Sequence, residues 1–326
     1  MANSHTEFLA YLSELDLTPT QESRLRISRD ALVTKIKNHF RDKGRLQPDD
    51  ESQGSYALNT QNRPISENFD LDHGIYLKHY KDSDNPTTKE AQDLIKEAVK
   101  DHTDQPLGNK DACVRVQYAK QGDTPTHHID LAVYRVKSDG SKHYAHAAED
   151  WQASDQSGFK KWYNDNKTDQ IHRLVRYLKG WADNNNGDDY KKLPSGFHLT
   201  VLAVQCGKSC KDRDDQAFVD TAAAIATRLK RGYQLGTGDK FYRPVKPGED
   251  LFENYSAARM ASCIEKLDKL VAEGTKALQT PDAVKAQQIW QTIFGGRFNV
   301  IEESKEDSGG YDKFPNITIA PSRGAG

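Results

Sequence analysis

The chain has 326 residues, 36% of them hydrophobic and 29% charged, a balance suited to a well-solvated protein long enough for two lobes. Its 46 basic and 48 acidic residues leave a formal net charge of −2, which argues against a chain-wide basic footprint and demotes duplex nucleic acid as a partner. No apolar stretch is long enough to span a bilayer. The opening Met1-Ala2-Asn3-Ser4-His5 lacks the charged-then-apolar pattern of a secretory signal, and Cys113, Cys206, Cys210 and Cys263 show no disulfide-framework spacing. The expectation is a reduced, cytoplasmic protein with no membrane partner.

A short helix is expected around Phe8 to Leu15. Thr18-Pro19-Thr20-Gln21 then opens a stronger one, with a Thr N-cap, Pro in the first turn and a capping-box Gln. Leu25, Leu32, Ile36 and Phe40 recur along it at helical spacing before Gly44. Residues 54–64 have turn chemistry. The run Phe69-Asp70-Leu71-Asp72 follows, alternating as a strand, so that Asp70 and Asp72 share the face opposite Phe69, Leu71 and Ile75. Thr87-Thr88-Lys89-Glu90 begins another helix. Residues 113–118 alternate as a strand, Gln121-Gly122-Asp123 turns the chain, and His128-Ile129-Asp130-Leu131 alternates again, so these last two strands are expected to be antiparallel neighbours.

The second half is helical. Ile171, Leu174, Val175, Leu178 and Trp181 form one amphipathic stripe. Phe218, Ala222, Ile225 and Leu229 form another, ending at Gly232. Residues 199–204 read equally as a buried helix or strand. Long helices are expected over 251–270 and from Thr280-Pro281-Asp282 onward. From Ile301, charge, Gly and Pro dominate, and the expectation is a flexible tail.

The chemistry rests on acids. A lone carboxylate pair on a strand is most often a solvated face. Here Gly54-Ser55 stands upstream and Asp130 lies on a second alternating strand. Laid in one sheet, the two strands would gather three carboxylates, which repel unless a cation neutralises them. Hard oxygen ligands suit Mg2+, with Mn2+ as a substitute, bound together with substrate phosphates. The pattern therefore reads as a metal-dependent phosphoryl or nucleotidyl transferase. Asp70 and Asp72 would hold the metal of the donor triphosphate, Asp130 would complete the site for the attacking oxygen, and Gly54-Ser55 would cradle phosphate. Cys206 and Cys210 lack the paired spacing of a zinc site. His127-His128 reads as structural or surface, since two-metal chemistry needs no His base.

Gly54-Ser55-Tyr56, Thr60-Gln61-Asn62-Arg63-Pro64, Phe69-Asp70-Leu71-Asp72 and Ile129-Asp130 together resemble the polymerase-β-type nucleotidyltransferase signature. More narrowly, they resemble bacterial CD-NTases, relatives of cyclic GMP-AMP synthase. Residues 173–181, 193–197 and 244–251 are similar to that family's helical lobe. The resemblance implies an α+β fold: a mixed-sheet nucleotidyltransferase core packed against a helical C-terminal lobe, with an N-terminal spine helix. It implies that Lys179 and Ser195 contact nucleotide phosphates, and Arg176, nearly on the face of Lys179, would add a second cation. Many relatives follow that Ser with a base-stacking aromatic, whereas this chain has Gly196, leaving Phe197 or a tyrosine for that role. The tail ending at Gly326 resembles those joined to other molecules by a ubiquitin-like conjugation system, which would make such an enzyme a partner.

The resulting expectation is a catalytic core over 1–150, a nucleotide-binding helical lobe over 151–300 and a tail over 301–326. Its function is the joining of nucleoside triphosphates, ATP and/or GTP, into a cyclic di- or oligonucleotide that signals in antiphage defence. Rival readings are nucleotidyl transfer to a protein or RNA end, and a non-catalytic nucleotide-binding scaffold.

Overall fold

The computed structural model describes residues 2–122, 125–186 and 193–300. The expected tail, Gly326 included, lies outside the described residues. The elements run α1 (His5–Glu14), α2 (Pro19–Asp42), β1 (Asp49–Ser52), α3 (Gly54–Ala57), β2 (Phe69–Leu77), α4 (Thr88–Val99), β3 (Gly108–Asn109), β4 (Val114–Tyr118), β5 (His127–Val136), β6 (Lys142–His146) and β7 (Asp150–Ala153). The helical part follows with α5 (Gln156–Asn166), α6 (Asp169–Asn186), α7 (Gly196–Cys206), α8 (Asp214–Leu229), a π turn over Lys230–Gln234, α9 (Ala257–Gln279) and α10 (Ala283–Phe294).

Local chemistry explains the boundaries. Thr18 accepts from the Gln21 amide while the Gln21 side chain accepts from the Thr18 amide, and Thr87 with Glu90 repeats this capping box at α4. The segment expected as a helix over 251–270 differs. Asp250 accepts from the Phe252 amide and the Leu251 amide donates to Phe241, so this stretch forms turns. The helix starts only where the Ser256 hydroxyl accepts from the Arg259 amide. Residues 199–204, open to either reading, are helical within α7.

The sheet has the path β1-β2-β5-β4-β3, with β6 added beside β5 and β7 beside β6. Strands β2 and β5 are parallel, and the other described pairs are antiparallel, including the expected β4–β5 neighbours. One face is apolar. Leu71, Ile75, Ile129, Leu131 and Val133 pack beneath Leu25, Leu32, Ile36 and Phe40 of α2 and Ile95 of α4, which turns the intervening side chains of β2 and β5 to the opposite side.

A second core lies among the helices. Helix α1, placed with the catalytic half by the sequence reading, buries Phe8, Tyr11 and Leu15 there. The Phe8 ring centroid lies 4.9 to 5.8 Å from those of Tyr177, Phe218, Trp290, Phe294 and Phe298. The chain thus begins in the helical core, crosses to the sheet along α2, and returns.

The segment before β2 ties the two cores together. The Arg63 amide donates to Leu15 O at 2.8 Å, and Asn62 exchanges hydrogen bonds with the Arg176 carbonyl and guanidinium at 2.9 and 3.0 Å. Arg297 donates to Arg63 O at 2.6 Å.

Candidate active site

The site begins with register. In the parallel pair β2–β5, Asp70 lies opposite His128 and Asp72 opposite Asp130. In the antiparallel pair β4–β5, Gln117 lies opposite His128 and Arg115 opposite Asp130. Side chains two apart on a strand share a face. One side of the sheet therefore carries two rows: Asp70, His128 and Gln117, then Asp72, Asp130 and Arg115. The three acids expected to converge do so.

Their charges are managed unequally. Arg115 grips Asp130 in a bidentate pair, Nε to Oδ1 at 2.7 Å and a terminal nitrogen to Oδ2 at 2.6 Å, the strongest geometry such a pair can take. That pair raises the Arg115 pKa above its already high value. Asp72 has no such partner. The surrounding protein, with Asp70 and Asp130 beside it, pushes its carboxyl up to about 7 despite Arg115 and Lys179 nearby. A carboxylate crowded by two others and hard to ionise alone is a group that a divalent cation would complete, and the oxygen-rich donor set fits Mg2+ or Mn2+.

Gly54 explains why a Gly-Ser pair precedes these acids. It has φ +59°, and a β-carbon there would sit 2.0 Å from Asp72 Oδ2. Only glycine can place the start of α3 against the carboxylate. The Gln53 amide donates to Asp72 O at 2.9 Å, fixing this approach, and Ser55 stands on the first turn of α3.

Lys179 enters from the helical side. Its Nζ donates to Thr60 O at 3.0 Å and Thr60 Oγ1 at 3.1 Å. Burial and Arg176 pull its pKa down to about 8 against the opposing pull of Asp70 and Asp72. Ser195 caps α7 and lies 2.6 Å from His198 Nδ1. Gly196 packs close to this lysine: a β-carbon there would lie 3.0 Å from Lys179 Cε, a contact that a small movement of the flexible side chain would relieve. Arg176 is placed differently. It is buried, ion-paired with Asp16 at 2.7 Å and bonded to Asn62, so its guanidinium is engaged in joining the lobes.

Above the acids lies a cleft of about 650 Å³. Gly54, Asp72 and Asp130 line it from the sheet, and Phe197, Arg243 and Lys246 from the helical side. Phe197 is 37% exposed, its ring 5.0 Å from that of Phe159 and 5.6 Å from the Arg243 guanidinium. It offers a planar face inside the cleft.

Two residues in this constellation escaped the sequence reading. The sequence presents Arg115 only as part of an alternating strand, and the one signal for it is the β4–β5 pairing, whose register the sequence does not specify. His128 was read as structural or surface, yet the register places it beside Asp70, and its Nε2 lies 3.9 Å from Asp130 Oδ2.

A mixed sheet that gathers acids from adjacent parallel strands beneath a Gly-Ser turn, with a helical lobe closing the cleft, defines a nucleotidyltransferase. Residues 48–134 match the family described as "Cyclic GMP-AMP synthase DncV-like, nucleotidyltransferase domain". The chain is 25% identical over 309 residues to the cyclic AMP-AMP-AMP synthase of an Acinetobacter species, covering 90% of this chain and 84% of that one. In fold it is similar to the Vibrio cholerae DncV cyclic AMP-GMP synthase, solved with a nonhydrolyzable GTP, at a TM-score of 0.75 and 16% identity over 93% of this chain and 100% of that one. It is also similar to the Bradyrhizobium diazoefficiens CD-NTase CdnG in complex with GTP, at a TM-score of 0.74 and 14% identity over 90% and 95% of the two chains. The match over residues 48–134 and the likeness to these synthases make the chain similar to the bacterial CD-NTases. No described helix is long and apolar enough to cross a membrane.

Two outcomes follow from this geometry. Gly54→Ala displaces the Asp72 carboxylate by steric contact, and misplacement on that scale is expected to lower turnover by about 10²-fold, read as pyrophosphate release by a variant whose melting curve shows that it is folded. The second concerns pH. Because the folded Asp72 carboxyl holds its proton up to about 7, whereas the unfolded one releases it near 4, the folded state binds the extra proton between those values. Stability of chelator-treated protein should therefore fall as pH rises from about 4 to about 7. Asp72→Asn should flatten that slope and melt higher than the parent at pH 8, by roughly 2–4 °C per kcal/mol recovered.

Proposed function

We propose that this enzyme joins nucleoside triphosphates, ATP and/or GTP, into a cyclic di- or oligonucleotide, with Asp70, Asp72 and Asp130 as its metal-binding catalytic residues. The observation that carries the reading is the β2–β5 register, which sets Asp72 opposite Asp130 and Asp70 one row away, with Gly54 against Asp72. In this reading residues 1–150 supply the catalytic core and 151–300 the nucleotide-binding lobe, with α1 packed into the latter. Bound Mg2+ or Mn2+ would neutralise the triphosphate and lower the pKa of the attacking hydroxyl.

The chain's own residues do the remaining work. Gly54 and Ser55 approach the donor phosphates, and Lys179, held at Thr60, presents a cation to them with Ser195. Asp130, oriented by Arg115, faces the acceptor hydroxyl. The new bond joins that oxygen to the α-phosphorus, the α–β bridge breaks, and pyrophosphate carries off the leaving charge. Phe197 offers a stacking face for a base. A second transfer, after the linear product turns in the cleft, closes the ring.

Cyclisation is favoured over transfer to a protein or RNA end because the relatives are named as cyclic nucleotide synthases. Signalling in antiphage defence is the biological role that accompanies this product, and conjugation through Gly326 would add a ubiquitin-like system as a partner.

The test is pyrophosphate release from nucleoside triphosphates with Mg2+ or Mn2+. Loss of metal binding removes several kcal/mol of transition-state stabilisation, so the double variant Asp70→Asn, Asp72→Asn should lose about 10³-fold or more while melting no lower than the parent. A folded double variant that releases pyrophosphate at the parental rate would remove these carboxylates from the mechanism.

A further inference from the structure

The imidazole of His128 is not needed by the three-carboxylate reading, yet it stands in the middle of the site. It is 8% exposed, on the central strand, opposite Asp70. Suitable donor atoms of Asp70, His128 and Asp130 all lie within 4.8 Å of one another. Ligands of a Mg2+- or Mn2+-sized ion are about 3 Å apart when adjacent and about 4.2 Å apart when opposite, so side-chain rotation that draws the three inward would close them around a cation.

The ring is oriented for this. Its Nδ1 lies 3.4 Å from Asn68 Oδ1, and an N–H donated there leaves the lone pair on Nε2. That Nε2 points toward the carboxylates without bonding them: Asp130 Oδ2 is 3.9 Å away, beyond hydrogen-bond range, and both Asp130 oxygens already accept from Arg115. A metal-bound imidazole characteristically donates its other ring N–H to an outer partner that fixes its tautomer. Asn68 occupies that place, immediately before Phe69 at the start of β2. An unbonded ring nitrogen 3.9 Å from the Asp130 carboxylate, on the face that carries Asp70, is placed to meet a cation held there.

We propose that His128 is a metal ligand in this enzyme, completing with Asp70 and Asp130 a nitrogen-containing site that takes Mn2+ in preference to Mg2+. The proposal rests on the metal-dependent reading above and adds an element to it. Mg2+ favours oxygen ligands and sheds water reluctantly, whereas Mn2+, a softer first-row transition ion that also takes oxygen ligands, accepts an imidazole nitrogen more readily than Mg2+ does. Replacing one oxygen of an all-carboxylate site by Nε2 therefore shifts the balance toward Mn2+. Asn68 acts as the positioning residue, holding the ring with Nε2 inward.

The experiment loads the full chain with Mn2+ alone and records both binding, by electron paramagnetic resonance titration, and the electron spin-echo modulation of the bound ion. The expected result is a 14N modulation typical of a directly bound imidazole, absent from folded His128→Ala and replaced by a 15N pattern in protein grown with 15N-histidine. Mn2+ affinity should fall by about tenfold or more in His128→Ala, with a smaller change for Mg2+. Asn68→Ala should keep the nitrogen signal but weaken Mn2+ binding by about 10- to 100-fold. If His128→Ala does not fold, His128→Asn takes its place, since an amide gives no imidazole modulation. Bound Mn2+ without nitrogen modulation in the parent, or with modulation unchanged in the His128 variant, would overturn the assignment while leaving the carboxylate site standing. Failure of the parent to bind Mn2+ at all would overturn both.

Discussion

Everything in the site depends on one pairing: β2 and β5 side by side and parallel, with Asp72 across from Asp130. Packing supports that register along the whole strand. A shift by one residue would turn Leu71, Ile75, Ile129, Leu131 and Val133 away from the core formed with α2 and α4. The apolar face thus holds the opposite face in an unfavourable state, with three carboxylates gathered where protein crowds out water. The price is visible in Asp72, whose carboxyl is driven up to about 7 by burial and by its two neighbours. Arg115 relieves Asp130 directly, while Lys179 approaches from the helical lobe. What remains is a deficit of positive charge at the floor of the cleft.

The two lobes are coupled at that floor through one short segment. Thr60 holds Lys179, Asn62 holds Arg176, and Arg63 bonds both to Leu15 and to Arg297. The turn that carries the chain from α3 into the acid-bearing strand is therefore also the staple between cores. Gly54 leaves room for Asp72 from the sheet side, while Gly196 packs close to Lys179 on the helical side. A cleft built this way is lined by carboxylates and Gly54 from the sheet and by Phe197, Arg243 and Lys246 from the helical side. That division suits an enzyme that must bind, turn and rebind an intermediate without dismantling its catalytic floor.

Much of this was legible in the sequence because its signals are local. Alternation in Phe69-Asp70-Leu71-Asp72 and in Ile129-Asp130-Leu131 placed the acids on one face, and the Thr18 and Thr87 capping boxes marked their helices. What escaped depends on pairing across the chain. Arg115 and His128 acquire meaning only once β4, β5 and β2 are in register. Arg176, expected to serve phosphate from the face of Lys179, is instead engaged by Asp16 and Asn62, partners 160 and 114 positions earlier in the chain. The membership of α1 in the helical core rests on aromatic contacts between Phe8 and residues from Tyr177 to Phe298, which helical periodicity cannot reveal. The start of α9 lies later than apolar spacing suggests for a local reason, since Leu251 and Phe252 are apolar and buried yet lie in turns ahead of the Ser256 cap.

The most direct measurement of the central claim, that one metal-dependent cleft joins nucleotides into a ring, is product analysis. Purified protein would be incubated with each α-labelled nucleoside triphosphate, singly and in mixtures, with Mg2+ or Mn2+, and the products treated with phosphatase before separation. The account predicts a small labelled product that resists phosphatase, its label pattern naming the bases joined. Label retained only on protein or RNA, or released entirely as phosphate, would contradict it.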